Sequence, residues 1–280
     1  DHVDQHADID GYVAMFDTFA ERLVPGGTLV VCQDDPRAAS LGDRMAAAGH
    51  HVRRYGEHAA SDVRIDRVEG RGLGSRLRVV VDGRRLPEMS LGVPGHHTAL
   101  NAVAALTAGL VLGVPERELA EGLEAFRGTL RRFELKGEAG GVRVFDDFAH
   151  HPTEVTEALR TARTVAAGGR VVVVFQSQLY SRTSAFAEGF GEALGLADAV
   201  VVMDVFGSRE DPVPGVTGAL IADAVPDGPH TVEFVPSWSD VPVRAAALAG
   251  HGDLGLSACS GVVTLVGPAV LDILLKQGRE

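Results

Sequence analysis

Two carboxylates and two imidazoles lie close together in the middle of the chain. Asp146 and Asp147 follow a short apolar run, and His150 and His151 come directly before Pro152. Because proline is favoured at the first position of a helix, the segment predicts a strand whose polar end meets a helix N-terminus. Open α/β sheets bind their ligands at this place.

Three interpretations of these four side chains are open from spacing alone. Polar groups at a strand end fit a nucleotide or substrate site. A metal site fits less well, because adjacent histidines in extended backbone point to opposite faces and no His-x-His or His-x-x-x-His spacing supports His150 and His151. In the third interpretation the side chains only cap the helix and satisfy the loop. The position favours the ligand site.

Other polar side chains could serve the same ligand. Asn101 lies one turn inside an alanine-rich helix, and its amide could read the edge of a nucleobase or be an ordinary surface group. The pair Arg131-Arg132 could bind phosphate, since a guanidinium matches phosphate oxygens bidentately, or could be a solvated linker charge. Arg182 follows an apolar run and could bind a carboxylate.

Hydrophobic periodicity predicts the elements that position these residues in the first half of the chain. A strand–helix–strand unit of the parallel type runs from 28 to 55. Alternating apolar and charged residues over 62–91, with Asp82-Gly83 as a hairpin signal, predict an antiparallel excursion. The predicted helices cover 12–23, 35–49, 96–112 and 115–126.

In the second half, strands alternate with helices, which predicts a doubly wound parallel sheet. The predicted strands are 142–145, 170–175, 199–205, 231–235 and 254–259, and the predicted helices are 153–166, 184–196, 217–224, 241–249 and 265–277. The first two strands are expected to be neighbours, which would place Arg182 beside the aspartate–histidine cluster. We therefore predict two domains, 1–130 and 131–280.

Composition excludes some classes of function. The 280-residue chain has 26 basic and 38 acidic residues and a net charge of −12, which argues against a general nucleic-acid surface. No apolar run approaches the roughly 18 residues of a membrane span. Cys32 and Cys259 are the two cysteines, which predicts reduced thiols and a cytoplasmic protein. Because the first residue, Asp1, is not methionine, we expect the C-terminal part of a longer polypeptide.

Several motifs in a fixed order resemble the Mur ligase family over the whole chain. They are Asp1-His2-Val3-Asp4, Pro94-Gly95-His96-His97-Thr98-Ala99-Leu100-Asn101, Arg131-Arg132-Phe133-Glu134, Asp146-Asp147-Phe148-Ala149-His150-His151-Pro152, Phe175 to Thr183, and Asp204 to Gly215. The resemblance implies an α/β protein in which 1–130 is the later part of a P-loop-type ATPase domain without its phosphate loop. Residues 131–280 would then be a Rossmann-like C-terminal ligase domain.

The resemblance also implies an activity. ATP and magnesium would convert the carboxylate of UDP-N-acetylmuramate to an acyl phosphate, which the amine of L-alanine attacks, in peptidoglycan synthesis. The isolated chain is expected to be inactive, because the phosphate loop is absent. A related ligase that adds a tripeptide to the same sugar acid, and a paralogue that binds without chemistry, are the alternatives.

Residue by residue, the motif positions imply a role for six side chains: a magnesium ligand for His2, adenine contact for Asn101, terminal phosphate contact for Arg132, ribose contact for Asp147, and the acceptor pocket for His150 and Arg182. The sequence departs from the family pattern in several places: His96, Thr98, Ser177-Gln178, Leu179 and Cys259-Ser260-Gly261-Val262. The last replaces Gly-Ala-Gly-Asp. It adds a Cβ at Cys259, where the family's glycine suggests a positive φ or a close approach.

Overall fold

The structure is a computed structural model that describes residues 8–277. The described residues form two compact units, which divide between Arg127 and Gly128. Each unit has its own sheet and its own hydrophobic core.

The first unit carries a six-stranded sheet with helices. Its elements are α1 (Ile9–Ala20), β1 (Thr28–Cys32), α2 (Pro36–Ala47), β2 (His51–Gly56), β3 (Val63–Arg71), β4 (Gly74–Val81), β5 (Arg84–Arg85), β6 (Met89–Leu91), α3 (His96–Val111) and α4 (Glu116–Ala125). The sheet order is β1-β2-β3-β4-β5, and β6 also pairs with β4. Strands β1, β2 and β3 are parallel, whereas β3 to β6 pair antiparallel.

The two features predicted for this unit, a parallel strand–helix–strand unit and an antiparallel excursion, are confirmed. Asp82 and Gly83 join β4 to β5 with φ angles of 48° and 80°, the two positive values that a type I′ hairpin requires. The core lies between the sheet and α3, where Ile65 and Val79 meet Val103 and Leu106. The half-buried alternation of β3 and β4 therefore results from burying one face against this helix.

Gly122 in α4 offers a test of local stability. A Cβ built at this exposed helical position meets no atom within 4 Å. We expect Gly122→Ala to raise the free energy of unfolding by about 0.5–1 kcal/mol, because alanine loses less backbone entropy in a helix. Urea denaturation measures the change, and an unchanged or lowered value would contradict the packing at this position.

The second unit carries the other six-stranded sheet. Its elements are β7 (Glu134–Ala139), β8 (Val142–Asp147), α5 (Pro152–Ala166), β9 (Val171–Phe175), α6 (Tyr180–Leu194), β10 (Ala199–Val202), α7 (Ala219–Asp223), β11 (Thr231–Phe234), α8 (Val241–Leu248), β12 (Leu254–Ala258), a 3₁₀ turn (Val262–Leu265) and α9 (Val266–Gln277). The sheet order is β11-β10-β9-β12-β8-β7. All its pairings are parallel except that of β7 with β8.

Helices cover both faces of this sheet, which confirms the doubly wound prediction. Side chains of α5 and α6, such as Leu159 and Phe190, pack on one face. Side chains of α8 and α9, such as Ala245 and Val270, pack on the other. The strands are buried on both faces, so their sequences read as nearly continuous valine runs.

Three details of the predicted second half are wrong. The edge strand β7 was not predicted, because its sequence is mostly polar and its pairing is interrupted by a bulge between Leu135 and Gly137. Helix α6 begins at Tyr180 rather than near 184, and a non-helical Phe186 (φ −127°) separates its first turns from the rest. Strand β12 lies between β8 and β9, which were expected to be neighbours.

Among residues 8–277, no helix combines the length and the apolar character that a membrane crossing needs.

Candidate functional site

The carboxyl ends of β8, β12 and β9 lie side by side in the second unit. In the register of the sheet, Ala258 of β12 is opposite Asp147 of β8 on one side and Phe175 of β9 on the other. The loops that follow these three strands therefore start at one edge of the sheet. This edge carries Asp147, His150 and Arg182 of the predicted residues, and the segment after β12 lies between them.

Arg131 ties the start of the second unit to this edge. Its Nε donates to Asp146 Oδ2 at 3.0 Å, its Nη2 to Cys259 O at 2.6 Å and its Nη1 to Ser260 O at 3.2 Å. Its backbone carbonyl accepts from Phe148 N at 2.7 Å, and its φ is 58°. All three nitrogens of the guanidinium thus donate to protein oxygens, so Arg131 has a structural role.

Asp146 is the centre of this network. Its carboxylate is fully buried and also accepts from Ser257 Oγ at 2.7 Å and Thr264 Oγ1 at 2.8 Å. A buried carboxylate needs this set of donors to offset its loss of hydration. Asp146 therefore joins β8, the end of β12 and the 3₁₀ turn rather than facing a ligand.

Asp147, the predicted ribose contact, organises backbone. One carboxylate oxygen accepts from Phe133 N at 2.8 Å and the other from Ala149 N at 2.8 Å. The residue is only 4% exposed, and burial raises the pKa of its carboxyl to about 6 although these two hydrogen bonds oppose the shift. Each oxygen keeps a second lone pair, so the carboxylate can still accept a hydroxyl from a ligand.

The raised pKa of Asp147 has a predictable effect on stability. The folded state holds this proton up to about pH 6, whereas an unfolded aspartate loses it near its ordinary value of 3.8. The free energy of unfolding should therefore lose about 2–3 kcal/mol through this group as the pH rises from 4 to 6. Urea denaturation at several pH values measures this loss. Between pH 4 and 6 the free energy of unfolding should fall more steeply with pH for the wild type than for Asp147→Asn.

The matched control for this experiment is Asp223→Asn, which removes an exposed carboxylate. That variant should keep the pH slope of the wild type. Parallel slopes for the wild type and Asp147→Asn would show that Asp147 ionises normally in the folded state.

His150, Arg132, Phe148 and Glu154 form a cluster just beyond the end of β8. His150 Nδ1 lies 2.9 Å from Phe148 O, and because a carbonyl only accepts, Nδ1 carries the proton of the ring. Glu154 Oε2 accepts from His150 N at 3.0 Å and lies 3.2 Å from Nδ1. Glu154 Oε1 is 3.5 Å from Arg132 Nη1. The Phe148 ring supports both neighbours, with the Arg132 guanidinium 5.7 Å and the His150 ring 5.1 Å from its centre.

His151 serves the helix rather than this cluster. Its Nδ1 accepts from Thr153 N at 3.3 Å as the cap of α5, and its ring packs on Phe186 at 5.1 Å. Burial lowers the pKa of its imidazole, and the charge of Arg182 lowers it further. The structure thus gives the two adjacent histidines separate surroundings.

Arg182, the second predicted acceptor residue, is 4% exposed in the first turns of α6. Its Nη1 lies 3.5 Å from both the backbone and the side-chain oxygen of Gln178. The Gln178 oxygen also accepts from Ser260 Oγ, which joins the loop after β9 to the segment after β12. These contacts place the Arg182 guanidinium at the same sheet edge.

The first turn of α6 is held by the loop after β10. Glu210 accepts from Ser181 N at 2.9 Å and from Ser181 Oγ at 2.5 Å, as an N-terminal cap supplied from outside the helix. Leu179 N donates to Phe206 O, and Phe206 N donates to Ser177 O. The loop after β10 therefore fixes the backbone on which Arg182 stands.

Backbone strain marks the segments that replace the family pattern. Cys259 has a φ of 148°, a value that favours glycine, as the family motif implied. Leu179 has a φ of 71°, and its side chain is buried. Strained residues of this kind concentrate at functional sites and persist where the surroundings over-determine them.

The remaining predicted residues lie elsewhere. Asn101, in the first unit, is exposed on α3 beside Ala105 and Ala108 one and two turns further along. This face of small side chains is suited to a flat ring. His2 lies outside the described residues, and among residues 8–277 no group of three or more histidine, cysteine or acidic side chains could hold a metal ion.

Comparison with known proteins matches both halves of the chain. Residues 1–109 match the Mur ligase middle domain, and residues 131–261 match the Mur ligase glutamate ligase domain. The chain belongs to the Mur ligase family. The assignment to Mur ligases rests on sequence, and the folds agree with it.

Among relatives, the chain is 52% identical over 278 residues to the UDP-N-acetylmuramate--L-alanine ligase of Saccharopolyspora erythraea, covering 97% of this chain and 56% of that protein. It is 51% identical over 277 residues to the ligase of the same name from Kineococcus radiotolerans, covering 99% and 58%. The chain thus spans little more than half the length of these Mur ligases.

Solved Mur ligase structures share the fold. The UDP-N-acetylmuramate-alanine ligase of Thermotoga maritima matches with a TM-score of 0.75 and 25% identity, over 100% of this chain and 58% of that one. The murein peptide ligase of Psychrobacter arcticus matches with a TM-score of 0.64 and 22% identity, over 97% and 56%. The second likeness shows the fold alone.

Sequence reasoning missed several residues of the site. Arg131 and Asp146 are visible in the sequence as members of the pairs Arg131-Arg132 and Asp146-Asp147. The role of each depends on which side chain of its pair points toward the protein interior. Glu154 had a signal, since it is the third residue of the helix that begins at Pro152, and acidic residues are favoured in the first turn of a helix. The Gln178–Ser260 contact had none, because it depends on β12 lying beside β9.

Proposed function

We propose that this chain is the middle and C-terminal part of a ligase that joins L-alanine to UDP-N-acetylmuramate in the cytoplasm, with ATP as the energy source. The observation that carries the proposal is the sustained likeness, over nearly the whole chain, to ligases named for that reaction. The clustering of charged and polar side chains at one sheet edge supports it. The activity, substrates and partners are those of a longer protein of which this chain would be a part.

In the proposed reaction, a carboxylate oxygen of the sugar acid attacks the terminal phosphorus of ATP, and ADP leaves. The amine nitrogen then attacks the acyl carbon, the bond to phosphate breaks, and the amine releases a proton. Such catalysis consists mostly of positioning and charge neutralisation. The protein must therefore hold the terminal phosphate of ATP and the carboxylates of the sugar acid and of L-alanine, and it must accept one proton.

We assign these tasks to the predicted residues. Arg132, half exposed on the Phe148 ring, is suited to the terminal phosphate, because a guanidinium binds phosphate oxygens bidentately. The buried Arg182 is suited to the carboxylate of the amino acid. His150 holds its proton on Nδ1, so in the neutral ring Nε2 carries the lone pair that can take the proton of the amine.

For the nucleoside, we assign Asp147 to the ribose and Asn101 to the adenine. Spare lone pairs on the Asp147 carboxylate and the exposed amide of Asn101 fit these contacts. Magnesium is a prediction from the family resemblance, with His2 as its ligand. The described residues supply no metal cluster, so no step here is assigned to the ion.

A chimera tests the proposal directly. The chain would replace the matching part of the Saccharopolyspora erythraea ligase, which then supplies the remainder of a complete enzyme. We expect phosphate release that requires ATP, UDP-N-acetylmuramate and L-alanine together, whereas the 280-residue chain alone should be inactive. Turnover by the isolated chain would contradict the expectation that the reaction needs a phosphate loop outside these 280 residues.

The same chimera separates the alternatives. Activity with a tripeptide but not with L-alanine would identify the related recycling ligase. No activity, when the intact relative is active, would favour a non-catalytic paralogue, to which the strained Cys259 lends support. In that case, Cys259→Gly, Ser260→Ala and Val262→Asp together would restore turnover only if the replaced motif is the cause.

A further inference from the structure

Glu154 lies between two of the residues assigned to different substrates. It is the third residue of α5, and its two carboxylate oxygens face different partners. Oε1 is 3.5 Å from the Arg132 guanidinium, whereas Oε2 accepts from His150 N at 3.0 Å and lies 3.2 Å from its Nδ1. One carboxylate thus serves both the phosphate and the acceptor side of the proposed site.

The two contacts of Glu154 differ in strength. The pair with Arg132 is long, and the side chains are 47% and 35% exposed, so it is worth about 0.2–1 kcal/mol. The contact with His150 is shorter and includes the backbone N–H of the residue before the N-cap His151. A ligand could therefore replace the first contact without breaking the second.

Of the adjacent pair Arg131-Arg132, Arg132 is the one whose guanidinium can change partner. The neighbouring Arg131 is bonded to Asp146 and to two backbone carbonyls, and losing these would leave buried oxygens without donors. The Arg132 guanidinium also lies over the Phe148 ring, at 5.7 Å against 4.9 Å for Arg131, but its ion pair is with one partly exposed carboxylate. The Phe148 support would remain after Glu154 is displaced.

We infer that Glu154 is an exchangeable counter-ion: it occupies Arg132 in the ligand-free state and gives way to a phosphate while it continues to hold His150. Glu154 is then a positioning residue that links arrival of phosphate to the acceptor histidine. The inference rests on the proposed contact between Arg132 and phosphate. It adds that the protein carries an internal competitor for that contact.

The variant Glu154→Gln tests the competition on the 280-residue chain. The amide oxygen of glutamine can accept the hydrogen bond from His150 N, so this contact and the fold should be kept. The probe is inorganic tripolyphosphate, followed by NMR of the arginine side-chain Nε–Hε groups. We expect Glu154→Gln to bind the probe about two- to five-fold more tightly than the wild type, the fold-change that corresponds to a half-exposed ion pair.

Two further variants make the result specific. Glu157→Gln removes the same charge one turn further along α5, where Glu157 pairs with Arg160 at 2.7 Å, and should change the affinity less than Glu154→Gln does. Adding Arg132→Gln to Glu154→Gln should abolish the tighter binding. A purely structural role of Glu154 would weaken binding, so the direction of the change separates the two roles.

Other outcomes would overturn the inference. These are equal affinities of Glu154→Gln and Glu157→Gln, retention of the tighter binding when Arg132→Gln is added to Glu154→Gln, and no detectable binding by the wild type or Glu154→Gln. The measurement uses neither nucleoside nor amino acid. It can therefore succeed although the chimera fails to ligate, and it can fail although the chimera is active, so the two proposals are tested separately.

Discussion

Replacing Asp146 by alanine should lower the free energy of unfolding by about 3 kcal/mol, the largest loss expected from a single side chain at the sheet edge. The substitution leaves the partly buried Arg131 guanidinium without its carboxylate. Removing one partner of a buried ion pair costs about 3–5 kcal/mol, and we take the lower end because Arg131 keeps two carbonyl acceptors. The hydroxyls of Ser257 and Thr264 also lose an acceptor.

Urea denaturation of the 280-residue chain measures this loss. Asp272→Ala is the matched control, because Asp272 is an exposed carboxylate paired with Lys276 on α9, and its removal should cost no more than about 0.5 kcal/mol. Asp146→Asn should fall between the two, since the amide keeps one acceptor. A loss below 1 kcal/mol for Asp146→Ala would mean that the Arg131 network does not stabilise the second unit.

The Asp146 network shows what sequence can and cannot predict at this site. The pairs Arg131-Arg132 and Asp146-Asp147 are visible in the sequence, and both attracted functional hypotheses. Which member of each pair turns inward depends on the backbone, and Arg131 has a φ of 58°, which no periodicity indicates. A pattern of adjacent like residues therefore locates a site more reliably than it assigns roles within it.

The elements themselves were predicted well where burial is periodic. Helix α5 has its buried residues at helical spacing, and the valine-rich strand β9 is buried along its whole length, so both elements have a clear signal in the sequence. The edge strand β7 lacks this signal, since one side of the strand has no partner strand and its residues are mostly polar.

The order of strands in space could not be predicted from their order in the chain. Strand β12, the last in sequence, pairs with β8 and β9 and separates two strands that were expected to be neighbours. This places Cys259 and Ser260 at the centre of the candidate site. Through their contacts with Arg131 and Gln178, Cys259 and Ser260 help to hold a site that contains Arg131, although they are more than 120 residues from it in the sequence.

The second large effect is expected at Gly191, in the part of α6 that packs against α7. A Cβ at this position would overlap the carbonyl carbon and oxygen of Ala224 and lie 2.8 Å from its Cβ. Because two of these three atoms belong to the backbone, α6 and the end of α7 must separate. We expect Gly191→Ala to lower the free energy of unfolding by about 1–3 kcal/mol, although alanine is the better helix former by about 1 kcal/mol.

The comparison with Gly122→Ala isolates the cause, because the same change of residue type in α4 meets no atom and should stabilise the chain. Opposite signs at the two glycines, measured by urea denaturation, would show that close packing outweighs helix propensity at Gly191. Adding Ala224→Gly to Gly191→Ala should recover less than half of the loss, since it removes the Cβ contact but leaves the backbone overlap. Full recovery would instead place the conflict in the Ala224 side chain, and a stabilising Gly191→Ala would contradict the close approach of α6 and α7.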